Sequence, residues 1–157
     1  MKEDLAQTFL NEARQLEILV ADLYTLFAKS FPEDRAFWQQ LAHEEKDHAA
    51  LIDSIKNNPK LSNQFVSSAA PGLLQEIQEV TKWLSSLIGK FPEEKTDRKT
   101  AFRTAIKIEK SAGEIDYRNF MTRETDSWIL KGLQHINKYD RDHLNRLEQY
   151  VKENKIV

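Results

Sequence analysis

Glu45-Lys46-Asp47-His48 and Asp140-Arg141-Asp142-His143 decide how the rest of this chain is read. Each places an acid three residues ahead of a histidine, inside a long stretch with helical periodicity. Positions i and i+3 share one face of a helix, so each phrase presents a carboxylate oxygen and an imidazole nitrogen to one point in space. That is half of a metal site, written twice. With 25 Asp and Glu among 157 residues, such spacing is common by composition alone, so the surroundings must carry the inference. Leu41 and Trp38 stand four and seven residues before Glu45, and Ile136 and Leu133 stand at the same offsets before Asp140. Those offsets keep one helical face, which puts both pairs on the apolar side, where uncompensated charge is expensive.

Outward from the first phrase, Ser30-Phe31-Pro32-Glu33-Asp34 offers a cap, an early proline and first-turn acids, predicting a helix from about Pro32 to Asn57. Before it, Leu5, Phe9, Leu16, Val20, Tyr24 and Phe27 recur at three- and four-residue steps and predict a first helix over about Lys2 to Lys29, with Glu17 among them. Asn57-Asn58-Pro59 ends the second helix, and the polar stretch to Ala70 reads as crossover. Pro71-Gly72 then opens a short connecting helix striped by Leu73, Leu74, Ile77, Thr81, Leu84 and Ile88 and closed by Gly89. A third long helix is predicted from about Asp97 to Thr122 with Glu109 near its apolar face. A fourth, capped by Thr125 or Asp126, runs to about Asn154 and carries Asp140 and His143.

The chain therefore repeats itself within one domain, 1–57 and 97–154, around a crossover 58–96. Glu17 precedes Glu45 by 28 residues and Glu109 precedes Asp140 by 31, a difference that a loop absorbs. The predicted fold is all-α: an antiparallel four-helix bundle with a long crossover that carries a short connecting helix.

Composition agrees with that class. Four Gly and four Pro leave few turns for an all-β protein, and 157 residues suit one domain with a real core. The formal charge is −2, with basic and acidic residues interleaved, so no footprint for nucleic acid appears. No long apolar run or charged leader points to a membrane, and a cytoplasmic location is the expectation. With no cysteine, disulfides, thiolate catalysis and Cys-bound iron or zinc are excluded within this chain, so a metal must be held by oxygen and nitrogen.

Glu17, Glu45 with His48, Glu109, and Asp140 with His143 resemble the six ligands of the ferritin-like di-iron carboxylate proteins. The rubrerythrin-type domain is the most similar, on the strength also of the seven-residue spacing from Glu17 to Tyr24. The resemblance implies two divalent metal ions, iron with manganese or zinc as alternatives, and a redox enzyme reducing hydrogen peroxide or dioxygen. Full rubrerythrins carry a Cys-bound iron domain that this chain lacks, which implies an external electron-donor protein or a small reductant; a homodimer is the default assembly. Two other readings stand beside it: an iron-handling protein of ferroxidase type, and a metal-free structural or partner-binding module.

The pattern departs from the family in places. Asp140 stands where Glu is usual, shortening the ligand's reach by about 1.5 Å, one C–C bond. Rubrerythrins have a further Glu three residues after the third-helix ligand, where this chain has Ala112; Glu114 is the nearest substitute but points elsewhere on a regular helix. Tyr117 lies eight residues after Glu109, one more than Tyr24 after Glu17, which predicts a π-bulge in the third helix, with Gly113 tolerating it or admitting a close neighbour. Tyr24 and Tyr117 are read as core residues first and as hydrogen-bond donors to a ligand carboxylate second. His43 and His135 are read as surface residues or as supports behind a ligand, Glu44, Lys46 and Asp47 as solvated charges, and Trp38, Trp83 and Trp128 as core.

Overall fold

An unbroken run without Gly or Pro makes α1, Lys2–Ser30, the longest helix in the molecule. The computed structural model describes residues 2–69, 71–91, 93–137 and 142–156. Among them all regular structure is helical. After α1 come a 3-10 turn at Pro32–Asp34, α2 (Arg35–Lys56), α3 (Pro59–Ser68), α4 (Leu73–Lys90), α5 (Arg98–Glu109), α6 (Ala112–Thr122), α7 (Trp128–Asn137) and α8 (His143–Glu153).

The tight connection through Phe31 turns α2 back along α1. Contacts run in opposite senses along the pair: Gln7 with Lys56, Arg14 with Asp53, Glu17 with His48, Tyr24 with Trp38. Ser30 remains inside α1, and Phe31 takes the cap position without a side-chain bond. The stretch after Asn58, expected to be irregular, forms α3. Its signal was present: Asn58 Oδ1 accepts from the Leu61 amide at 3.1 Å, Pro59 occupies the first turn, and Leu61 and Phe65 bury themselves. α4 packs on α1, and α5 on α8.

Both later helices are broken where continuity was expected. α5 closes with Ser111 N–H donating to the Ile108 carbonyl at 2.8 Å, and Ser111 is extended (ψ 153°) before α6 begins. This is a full break rather than a π-bulge, and the Arg118 guanidinium satisfies the freed Glu109 carbonyl at 3.3 Å. Gln134 of α7 likewise donates to the carbonyls of Phe120 and Arg123 at the end of α6. The predicted last helix is divided into α7 and α8, because Asp142 sits in the left-handed region (φ 68°, ψ 42°) that no continuing α-helix can pass through. Trp128, expected in the core, is 81% exposed, whereas Trp38 is fully buried.

One polar clamp ties the turn after α1 to α5 and α8. Buried Asp34 accepts two bonds from Arg98, both at 2.7 Å, and one from the Tyr150 hydroxyl at 2.9 Å. Tyr150 stacks on Phe37 (4.0 Å between centroids) and Phe102 (5.5 Å). Among the described residues no helix is long and apolar enough to cross a membrane. Asp34→Ala should lower unfolding free energy by about 3 kcal/mol, since it strands a charged partner and a phenol. Urea denaturation reads this; a loss below half a unit would mean that the clamp is ornamental.

Candidate metal centre

Helix periodicity brings Glu17, Tyr24, Glu45 and His48 onto the facing sides of α1 and α2, one face of which carries Leu16, Val20, Leu41 and Ile52 into the core. α5 adds Glu109, and α8 adds His143 from its first turn. All five of the predicted ligands that are described are buried, none more than 4% exposed, and they meet in one interior cluster. Asp140, the sixth, lies outside the described residues.

His48 Nδ1 lies 3.1 Å from Glu45 Oε2 and 3.5 Å from Glu17 Oε2. His143 Nδ1 lies 2.8 Å from Glu45 Oε1 and 3.6 Å from Glu109 Oε1. The two imidazoles stack at 5.1 Å with 19° between planes. Glu45 therefore stands between both histidines. Tyr24 donates its hydroxyl to Glu109 Oε1 at 2.9 Å, the second of the two roles its sequence position offered beside core packing. Tyr117 packs its ring on His48 at 4.8 Å and donates to Asn137 Oδ1 at 3.1 Å, giving its hydroxyl an amide partner as well as a place in the core. His43 and His135 are exposed, as expected.

Two further acids belong to the cluster, and reading the sequence missed both. Glu44 is buried: its Oε2 lies 2.7 Å from His143 Nε2 and accepts from Arg146, while Oε1 accepts from Gln40 at 2.7 Å. Its neighbour Glu45 leaves the helix about 100° away, so the two address different sides of the same histidine. Glu114 is also buried and faces Glu17 and Glu45. On a regular helix it would stand about 140° from Glu109; the break at Ser111 removes that constraint. Gly113 completes the effect, since a Cβ there would meet Leu16 Cδ2 at 2.9 Å and Ile77 Cγ1 at 3.1 Å. Its bare backbone lets α6 approach α1 next to Glu17. A Glu–Glu pair before a predicted ligand and a Gly beside an acid were the available signals.

Two sets of ligand atoms each lie within 4.8 Å of one another: Glu45, His48 and His143; and Glu17, Glu45 and Glu114. Glu45 is common to both. Glu114 Oε1 is buried and accepts no hydrogen bond from the described residues, and buried Glu17 Oε2 has His48 Nδ1 no closer than 3.5 Å. Buried carboxylate oxygens without donors are costly, and a divalent cation is the partner that such an oxygen and nitrogen set accommodates. The cluster could hold metal. A small cavity beside it is lined by His48, Glu109, Glu114, Tyr117, Arg118 and His143 among others. No family model, curated protein or solved structure matches this chain.

Without metal, the cluster neutralises itself with protons. Burial pushes Glu17 up to about 8, and burial with the charges of Glu17, Glu45 and Glu109 drives Glu114 well above the carboxylate range. Burial opposes the imidazolium of His48, yet Glu17 and Glu45 outweigh it and raise the group to about 10; His143 is raised likewise by Glu45, Glu109 and Glu44. Glu45 and Glu44 go the other way against their burial. His143 and His48 hold Glu45 well down, and His143, Arg146 and Gln40 hold Glu44 at about 2.

The raised groups keep protons in the folded state that the unfolded chain would release, so their contribution is complete at low pH and is lost as pH climbs through their folded values. The lowered pair acts below the ordinary carboxylate range. Metal-free protein should accordingly lose thermal stability from about pH 6 to about pH 9, in calorimetry at fixed ionic strength. Metal must displace those protons, so loading should release them as a buffer-dependent heat. A melting temperature that climbs across that interval would contradict the proton assignments.

Proposed function

We propose that this chain is a di-iron carboxylate protein: a rubrerythrin-like oxidoreductase that reduces hydrogen peroxide or dioxygen with electrons from an external donor. The observation that supports it best is the convergence of Glu17, Glu45, His48, Glu109 and His143, joined by Glu114, whose buried Oε1 has no donor among the described residues. The architecture fits as a ferritin-like bundle whose rods are α1, α2, broken α5/α6 and broken α7/α8, with α3 and α4 as the crossover.

Glu45, His48 and His143 would hold one ion, and Glu17, Glu45 and Glu114 the other, with Glu45 common to both and Glu109 completing the first set. Bound iron would supply two electrons and the Lewis acidity that reduction of an O–O bond needs. The protein's own groups set the stage. Glu44, fixed by Arg146 and Gln40, accepts from His143 Nε2 and so keeps Nδ1 turned toward Glu45 and Glu109. Tyr24 fixes Glu109 by its hydroxyl. The apolar shell of Leu16, Val20, Leu41 and Ile52 excludes bulk water, and the cavity beside Arg118 and Tyr117 has room for about one water-sized molecule. These 157 residues hold no cysteine, so this reading calls for electrons from outside them, from a donor protein or a small reductant.

Iron reconstitution should load about two ions per chain, Glu45→Ala should abolish loading, and His143→Ala should remove about one ion, all read by elemental analysis. Peroxide should then oxidise the reduced, loaded protein faster than air does. Two ions that peroxide oxidises no faster than air would replace peroxidase with iron handling. Less than one ion per chain would leave a metal-free helical module.

A further inference from the structure

Oxidisable rings are distributed unevenly in this core. Around Phe9, Phe65 and Phe120, where rings meet at 5.8 and 4.8 Å, every partner is phenylalanine. From the acid–histidine cluster toward α8 the series is instead Tyr24, Trp38 and Tyr150. Tyr24 bonds to Glu109 and lies 5.4 Å from Trp38 between centroids. Two phenylalanines bridge Trp38 to Tyr150: Phe102 at 4.5 and 5.5 Å, and Phe37 at 5.7 and 4.0 Å. Tyr24 and Trp38 are fully buried, whereas Tyr150 is half-buried and reaches solvent.

We propose that Tyr24, Trp38 and Tyr150 form a relay that carries single electrons from the surface at α8 to the buried cluster. It rests on the redox reading above and goes beyond it by saying where electrons enter.

Tyrosine and tryptophan are the side chains most easily oxidised by one electron, and a phenol gives up its electron readily only when its proton has somewhere to go. Both tyrosines meet that condition, since Tyr24 donates to Glu109 Oε1 and Tyr150 to Asp34 Oδ1, each at 2.9 Å. Trp38 differs: its buried Nε1 has no acceptor among the described residues. A hole there finds no base and must pass on, which suits the middle of a relay. The phenylalanines are not oxidised; they keep the gap filled with π surface, stacked against Tyr150 and tilted or edge-on to Trp38.

The electrons balance as follows along the chain. Tyr24 gives one electron to the site oxidised by peroxide or dioxygen, and its proton shifts along the hydrogen bond to Glu109. Trp38 refills Tyr24, which recovers that proton. Tyr150 refills Trp38 and passes its proton to Asp34. A one-electron donor protein then refills Tyr150, which takes the proton back. One electron has moved inward, and no proton has changed sides.

The test uses metal-free protein carrying Trp83→Phe and Trp128→Phe, with a photogenerated ruthenium(III) polypyridyl complex as surface oxidant. Transient absorption and electron paramagnetic resonance should show an indolyl radical on Trp38 that decays as a tyrosyl radical on Tyr24 grows, the latter identified by its loss in Tyr24→Phe. Tyr150→Phe should remove the indolyl signal, and Trp38→Phe should remove the Tyr24 signal while keeping that of Tyr150. If Trp38→Phe does not fold, Phe37→Leu with Phe102→Leu should slow the appearance of the Trp38 radical. A Tyr24 radical that grows at an unchanged rate in these variants, or no Trp38 radical in the parent, overturns the relay. Because no metal is present, this outcome is separate from metal loading. Protein that loads no iron yet passes the hole defeats the redox reading, and protein that loads iron without passing it defeats the relay.

Discussion

Burying five carboxylates beside two imidazoles in an apolar interior is the constraint to which the rest of this molecule answers. An isolated ionised carboxylate in such surroundings costs several kcal/mol, and here Glu17, Glu44, Glu45, Glu109 and Glu114 are each at most 3% exposed. Arg146 compensates only Glu44 directly, and Tyr24 contributes one hydroxyl to Glu109. What remains is shared between His48, His143 and protons, and Glu114 Oε1 is left without a donor among the described residues. A purely structural core of this size would be more stable with leucines at these positions. The expense makes sense where something positively charged is to be held.

The two helix breaks follow from the same constraint. Continuity from Arg98 to Thr122 would pack well but would leave Glu114 on a different side from Glu109. The extended Ser111 and the bare backbone of Gly113 give the second acid its own approach to Glu17. At the other joint, left-handed Asp142 starts α8 at His143, so the imidazole projects from a helix terminus toward Glu44 and Glu45. At the opposite side of the cluster, Asp34 fixes the turn after α1 to α5 and α8 through Arg98 and Tyr150, holding together the helices that supply Glu109 and His143.

Most of this centre was legible in the sequence, because helical spacing and apolar offsets are local properties. α1, α2 and α4 appear nearly where their periodicity puts them, and Glu17, Glu45, His48, Glu109 and His143 converge as the repeat suggested. What was not legible depends on contacts distant in sequence. Glu44 looks like a solvated neighbour of Glu45 until His143, 99 residues later, is placed against it. Glu114 depends on a break that propensity does not announce: Lys110-Ser111 carries no proline, and the glycine follows the break rather than making it. α3 was hidden by its polar composition, although Asn58-Pro59 is a sound start signal. Trp128 shows the opposite error, an aromatic residue assigned inward by type and found on the surface.

The separation between partners also bears on how the protein is assembled in time. Glu109 meets Tyr24 across 85 positions, and Glu44 meets His143 and Arg146 across 99 and 102. Contacts of that span form late, after loop closure has been offset by nearby packing. No fragment that stops short of His143 contains the finished cluster, so an ion cannot template the first helices, as it does in a zinc finger. Any ion this cluster can hold would meet side chains already brought together by the folded helices, and a donor set of carboxylates and imidazoles does not by itself choose among divalent metals.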